Sequence, residues 1–336
     1  MQRINSYIIF YLCYSCLLHQ AVHAQDPHFS QYFSSPLTFN PAFTGYFDGT
    51  QRLAFNIRNQ WANISDPYTT GTVSLDTKIM KKNIGANDRW GLGVLALYDQ
   101  SAGGIFKNNY ILVSTAFHKG LDADGNQSIG IGVQAGFARN SVDFSRISFS
   151  NQYTNGGFDL SIPSGEAANN RSVSYTDVNA GIIYNYGDEN NNQFTVGASI
   201  YHLLRPKLSF FTGNNNSLQR RYSLHAGANL NAGDRDYFFM SAHIMQQAGA
   251  YEVVFGGAYG LGLGESDLHL YLGGWLRVKD AVYPYIGLRS SSYQVGVSYD
   301  ITSSDLNRAK GFSGSSELSF LYFFNKEKRK GIPCFF

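Results

Sequence analysis

From about Arg52 to Phe324 the chain repeats one pattern, in which segments of about ten residues alternate apolar with polar or small side chains and turn-rich clusters separate them. In residues 129–138, Ile129, Ile131, Val133, Ala135 and Phe137 alternate with Gly130, Gly132, Gln134, Gly136 and Ala138. In residues 221–230, Tyr222, Leu224, Ala226, Ala228 and Leu230 alternate with Arg221, Ser223, His225, Gly227 and Asn229. Residues 293–302 do the same with Tyr293, Val295, Val297, Tyr299 and Ile301. A period of two places one set on each face of a β-strand. An apolar set with aromatic ends suits hydrocarbon, and a Gly, Ser, Asn, Gln and charged set requires a polar lumen. A soluble sandwich would show the same alternation turned inward. Its strands average about 5 to 6 residues, whereas these segments run about 9 to 11, the length that crosses a bilayer at a tilt.

About 14 such segments can be counted, beginning near Arg52, Tyr68, Trp90, Asn109, Gln127, Ser174, Gln193, Leu218, Tyr237, Ala250, Leu268, Val282, Ser292 and Ser313. The expected fold is therefore all-β, a transmembrane antiparallel barrel spanning residues 51–325. An even count returns both ends to the periplasmic side. The odd-numbered connections then lie outside, and the two longest, about 139–173 and 204–217, are both odd. Even connections such as 187–192 and 232–235 are tight, with one exception at about 78–89. The last segment carries Leu318, Phe320, Tyr322 and Phe324 on one face, a pattern suited to barrel assembly or to an ordinary lipid-facing strand.

Composition agrees with a lipid-facing exterior. Charged residues make up 15% and aromatics 15% of the 336 residues, with 35 Gly and 8 Pro. The first 24 residues have the layout of a secretory signal peptide: Arg3, an apolar stretch from Ile4 to Leu18, and Val22-His23-Ala24 before Gln25. Its apolar core of about 15 residues is short for a helical anchor, which needs roughly 20. Removal would leave 336 − 24 = 312 residues, with 25 basic and 24 acidic side chains. That balance suggests no nucleic-acid partner. Cys13 and Cys16 would leave with the signal peptide, so Cys334 remains alone, with no disulfide framework and no cysteine-based metal site. Without an apolar run of 18 residues, the barrel is the remaining way to satisfy the backbone in lipid.

Candidate chemistry is sparse. The chain has no Gly-rich phosphate loop, no His pair at metal spacing and no nucleophile elbow, so neither an enzyme nor a cofactor is expected. His28, His118, His202, His225, His243 and His269 lie on different segments with no shared spacing. The inward face carries both signs: Arg52, Arg58, Asp76, Asp177, Arg221, Glu252, Arg277, Asp300 and Glu317. A single-sign ring would suggest an ion-selective pore. Mixed signs suit either a packed, plugged interior or a solvated wall. A basic tail follows the last strand over residues 326–336.

Residues 25–50 stand apart. The stretch 25–46 does not alternate, holds three prolines, and is too aromatic for a disordered linker. It needs somewhere to bury itself, and the lumen or the periplasmic mouth is nearest. The string D-P-x-F-S-Q-Y followed by P-L-x-x-N-P-A-x-x-G is carried by Asp26, Pro27, Phe29, Ser30, Gln31, Tyr32, Pro36, Leu37, Asn40, Pro41, Ala42 and Gly45. It resembles the opening signature of the PorP/SprF family of type IX secretion system outer-membrane proteins. Arg52, Arg58, Asn59, Gln60 and Trp61, and the terminal Ile332-Pro333-Cys334, are also similar to the family. The chain ends Phe335-Phe336 where the family has a more polar ending, so the resemblance assigns the tail no role. The resemblance implies a secretion-associated barrel of the Bacteroidota outer membrane. Its implied partners are outer-membrane lipid, type IX secretion components, and the C-terminal domain of a secreted adhesin. A passive porin or lipid-type transporter is the alternative, and an outer-membrane hydrolase a more distant one.

Overall fold

The computed structural model describes residues 26–62, 66–80, 83–165, 172–210, 216–303 and 314–325. The expected signal peptide, the basic tail and Cys334 lie outside the described residues. Among the described residues no helix is long and apolar enough to cross a membrane.

The strands are β1 (Gln51–Gln60), β2 (Tyr68–Ile79), β3 (Arg89–Ser101), β4 (Phe106–Gly120), β5 (Gln127–Val142), β6 (Tyr153–Thr154), β7 (Gly157–Phe158), β8 (Ser172–Gly187), β9 (Gln193–Tyr201), β10 (Arg221–Asn231), β11 (Tyr237–Gln247), β12 (Ala250–Gly262), β13 (His269–Arg277), β14 (Ala281–Arg289), β15 (Tyr293–Thr302) and β16 (Gly314–Phe324). Apart from β6 and β7, which form a separate two-stranded ribbon, they make one closed antiparallel barrel of 14 strands. Each pairs with its sequence neighbours, and β1 pairs with β16 to close the ring, with Arg52 opposite Phe323 and Arg58 opposite Glu317. Closure leaves no unpaired strand edge, which hydrocarbon would not tolerate.

Exposure decides which face is which. On β5, Phe137 is 72% exposed and Gln134 only 1%. A soluble sandwich would reverse those values, so the apolar face points outward into lipid.

The connections after β5 and β9, described over residues 143–165, 202–210 and 216–220, stand at the same end of the barrel. The opposite end holds the start of β1 and the finish of β16. Long loops mark the outer side of such barrels, so these are termed the outer and inner ends. Six strands are longer than the expected 9 to 11 residues: β2 has 12, β3 and β12 have 13, and the longest are β4 with 15 and β5 and β8 with 16 each. These last three project beyond the span toward the long outer loop. That loop is also more ordered than a plain connection, because it contains the β6–β7 ribbon with Tyr153 packed edge-on against Phe158.

Candidate functional site: a segment running the length of the lumen

Residues 26–50 lie inside the ring. Two 3-10 turns, Tyr32–Ser34 and Pro41–Phe43, flank α1 (Pro36–Phe39). Pro36 and Pro41 each sit at the start of a helical turn, where the missing N–H costs nothing and the fixed φ favours the turn. Such single turns cannot stand alone in water. They persist because the surrounding wall buries them: Phe33, Leu37, Ala42, Phe43 and Phe47 are fully enclosed.

The segment enters at the outer end. The Asp26 carboxylate accepts from His202 Nε2 at 2.6 Å and pairs with Arg221 at 3.4 Å, and its backbone N–H donates to Gln247. His202 Nδ1 faces Asp177 at 2.9 Å. With a carboxylate at each ring nitrogen, this imidazole is held as a cation. Burial alone would lower its pKa, but the two carboxylates outweigh burial and raise it to about 9. Next, His28 Nε2 meets Glu252 at 2.8 Å, and the His28 carbonyl accepts from Arg58.

The first half of the motif is then clamped by carboxylates. Glu317 accepts the Ser30 and Gln31 backbone N–H groups at 2.8 and 2.9 Å, one on each oxygen. Asp300 accepts from the Ser30 hydroxyl at 2.7 Å and also from Arg58 and Arg277. Gln31 donates to Ser298 and to the Glu317 carbonyl, and accepts from Ser319. Tyr32 donates to Ser241, which also accepts from Trp275 Nε1. Phe33 packs on Trp275 with ring centroids 4.9 Å apart and edge-on against Phe239 and Tyr285. Phe29 is buried, and Pro27 lines two small gaps near it.

The second half turns toward the inner end. The Leu37 carbonyl accepts from Gln134 and the Phe39 carbonyl from Ser199. Asn40 caps the second turn by accepting from Ala42 N–H, while its amide donates to the Ile182 and Ala198 carbonyls and meets His225 Nε2 at 3.0 Å. Gly45 has φ +73, a left-handed conformation that glycine adopts without a Cβ penalty. Its N–H donates to Asp76 at 2.7 Å. Asp76 in turn accepts two bonds from Arg52, which also donates to the Phe43 carbonyl. Phe47 reaches β16, 6.3 Å from the Phe323 ring.

The wall is shaped to admit this backbone. A Cβ on Gly132 would lie 2.5 Å from the Pro41 carbonyl carbon and the Ala42 nitrogen. A Cβ on Gly181 would overlap Asn40 Oδ1. Two residual cavities beside the segment measure about 30 and 40 Å³, about the share of one water molecule each. The signs that looked mixed along the inward face therefore have partners. Each charged residue named there touches the segment directly except Asp177, which acts through His202.

The family model for the type IX secretion system membrane protein PorP/SprF matches residues 21–322. The chain belongs to the PorP/SprF family. It is thus an outer-membrane component of the type IX secretion system class. No curated protein sequence matches it. Among solved structures it is similar to the Ralstonia pickettii toluene transporter TbuX, at 9% identity and a TM-score of 0.52, covering 87% of this chain and 94% of that one. It is also similar to the CymD monoaromatic hydrocarbon channel, at 12% identity and a TM-score of 0.49, covering 87% and 93%. At such identities the likeness concerns the barrel fold alone.

Within this PorP/SprF chain the histidines are the residues that sequence reasoning undervalued. His118, His202, His225 and His243 come from four different strands or loops, yet all meet the lumen segment, as His28 joins it to Glu252. Among the described histidines only His269 stays at the inner rim, beside Asp267 and Arg235. Their sole sequence signal was inward register on alternating strands. Among the described residues no group of His, Cys, Asp or Glu is arranged to hold a metal ion.

Proposed function

We propose that this barrel serves the type IX system as a sealed outer-membrane station that exports or holds a partner protein, such as an adhesin recognised through its C-terminal domain. The observation that carries this reading is the occupied lumen. A barrel whose axis is filled from Asp26 to Phe47 has its rims and loops, and not a channel, available for work. The outer end offers the described loop residues 143–165, 202–210 and 216–220 to a surface partner. The inner mouth holds a cavity of about 500 Å³ lined by Lys78, Asn87, Arg89, Asn185 and Asp188 among others, a polar face for periplasmic components. In this reading Asp26, Pro27, Phe29, Ser30, Gln31, Tyr32, Pro36, Leu37, Asn40, Pro41, Ala42 and Gly45 act as the plug, and export begins with cleavage before Gln25.

Deleting the gene is expected to abolish surface display of one cognate secreted protein while the other type IX cargo still reaches the surface. Loss of all type IX cargo would favour a core role in the machine. Unchanged display of every cargo would sink the proposal. The competing reading, passage of small solutes through the lumen, is supported by the shared fold with TbuX but requires the segment to move aside.

A further inference from the structure

The outer rim is uneven. Only Ala248 and Gly249 separate β11 from β12, whereas the neighbouring connection from β9 to β10 covers residues 202–220. The step between them leaves a notch of about 330 Å³ lined by Arg205, Gln219, Arg220, Tyr222, Gln246 and the tight turn. Strand register fixes its depth. Tyr222 lies opposite Gln246, and Gln246 opposite Tyr251. Tyr222 and Tyr251 both face outward, and Tyr251 is 73% exposed. Two residues further into the span, Leu224, Ile244 and Val253 form the next aligned row. A tyrosine row above an aliphatic row marks the boundary between headgroups and hydrocarbon. The notch opens at that boundary, on the outer side.

Two guanidinium groups share it. Arg220 donates through Nε and Nη2 to the Leu203 carbonyl, at 3.3 and 3.1 Å. Arg205 donates through Nη2 to the Gln219 side chain at 3.2 Å. No carboxylate lines the notch, and among the described residues neither arginine forms an ion pair. Arg205 also holds φ +47, a sparsely populated conformation for a residue with a side chain. Like charges gathered at one concavity repel unless an anion lies between them. Arginine pairs with phosphate through two parallel N–H bonds.

We propose that this notch binds a phosphate group of an outer-leaflet glycolipid, with an acyl chain lying down the Tyr222–Leu224 face. A free phosphate would need only the cations. The apolar wall continuing directly below them selects a phosphate that carries hydrocarbon. The site is separate from the lumen and from the secretion reading, so either can fail without the other.

The test uses the full-length protein in mild detergent, mixed with diphosphoryl lipid A and followed by native mass spectrometry. Wild type is expected to retain one lipid A. An Arg205→Gln/Arg220→Gln variant should bind about thirtyfold more weakly, the combined effect of two cations near an anionic surface. Wild type should hold dephosphorylated lipid A as weakly as the variant holds the diphosphoryl form. Equal retention of the two lipids by wild type would overturn the proposal, and that comparison needs no variant to fold. Equal retention of diphosphoryl lipid A by wild type and a folded variant would do the same. Displacement by equimolar inorganic phosphate would assign the notch to a free anion, and displacement by an acidic peptide would assign it to a protein. Either outcome overturns the lipid assignment.

Discussion

Asn40 shows how much one side chain contributes inside this barrel. Its oxygen caps the turn that begins at Pro41, and its amide serves two wall carbonyls and His225. The adjacent Asn40 and Pro41 are a turn signal in the sequence, but the recipients are not legible there, because they lie 142 to 185 positions away. His202 was equally hidden, and it carries a pH dependence. Its pKa rises on folding from 6.5 to about 9 because burial is outweighed by the facing Asp26 and Asp177. A pKa raised by folding gives stability that is complete below the unfolded value and fades as pH climbs through the folded one. The outer end of the segment is therefore expected to stay closed at pH 6 and to loosen on the way to about pH 9. Hydrogen exchange of residues 26–30 measures this. Protection that does not change across that window, or that changes equally in a His202→Gln variant, would contradict the assignment.

At the scale of elements, the strands were the most legible part. Their period of two survives wherever one face meets lipid and the other the lumen. It fails where the outward face rises past the lipid and carries polar side chains such as Arg139, while Ala138 and Val142 on the inward face stay buried. Residues 138–142, Ala-Arg-Asn-Ser-Val, show no clean alternation, yet β5 continues pairing with β4 through Val142. That is why β5 and β8 ran longer than expected and why β4 begins at Phe106 and not near Asn109. The opposite error occurs at β10. Alternation suggested a start near Leu218, but pairing begins at Arg221 because its partner β9 ends at Tyr201. The irregular segment announced itself by failing to alternate, whereas its path could not be read, since the wall glycines that admit it look like ordinary small lumen residues. Gly132→Val puts this to a test. The added side chain meets the Pro41–Ala42 backbone, and overpacking of this kind costs about 1–3 kcal/mol. The expected result is an assembled, heat-modifiable barrel whose residues 36–45 have become accessible to protease. Unchanged resistance to protease would show that the segment is held elsewhere.

The molecule as a whole was legible in its class and in the placement of its long loops. Whether its axis was open was not, because mixed charges suit a wet wall and a filled one equally. The filled lumen makes a direct prediction. In planar bilayers the protein should show no large, steady conductance, and removal of residues 26–45 from the exported chain should produce one. A steady open level in the intact protein would end the sealed reading. The segment also bears on how the barrel resists being pulled apart. The first strand grips it through Arg52 and Arg58, and the last strand through Glu317 and Ser319. These are the two strands whose pairing closes the ring. The segment is thus a cross-tie over the seam, anchored on both sides of it. A tug on its outer end would not draw a cork from a bottle, because the strain would pass first into the joint where the wall was last made whole.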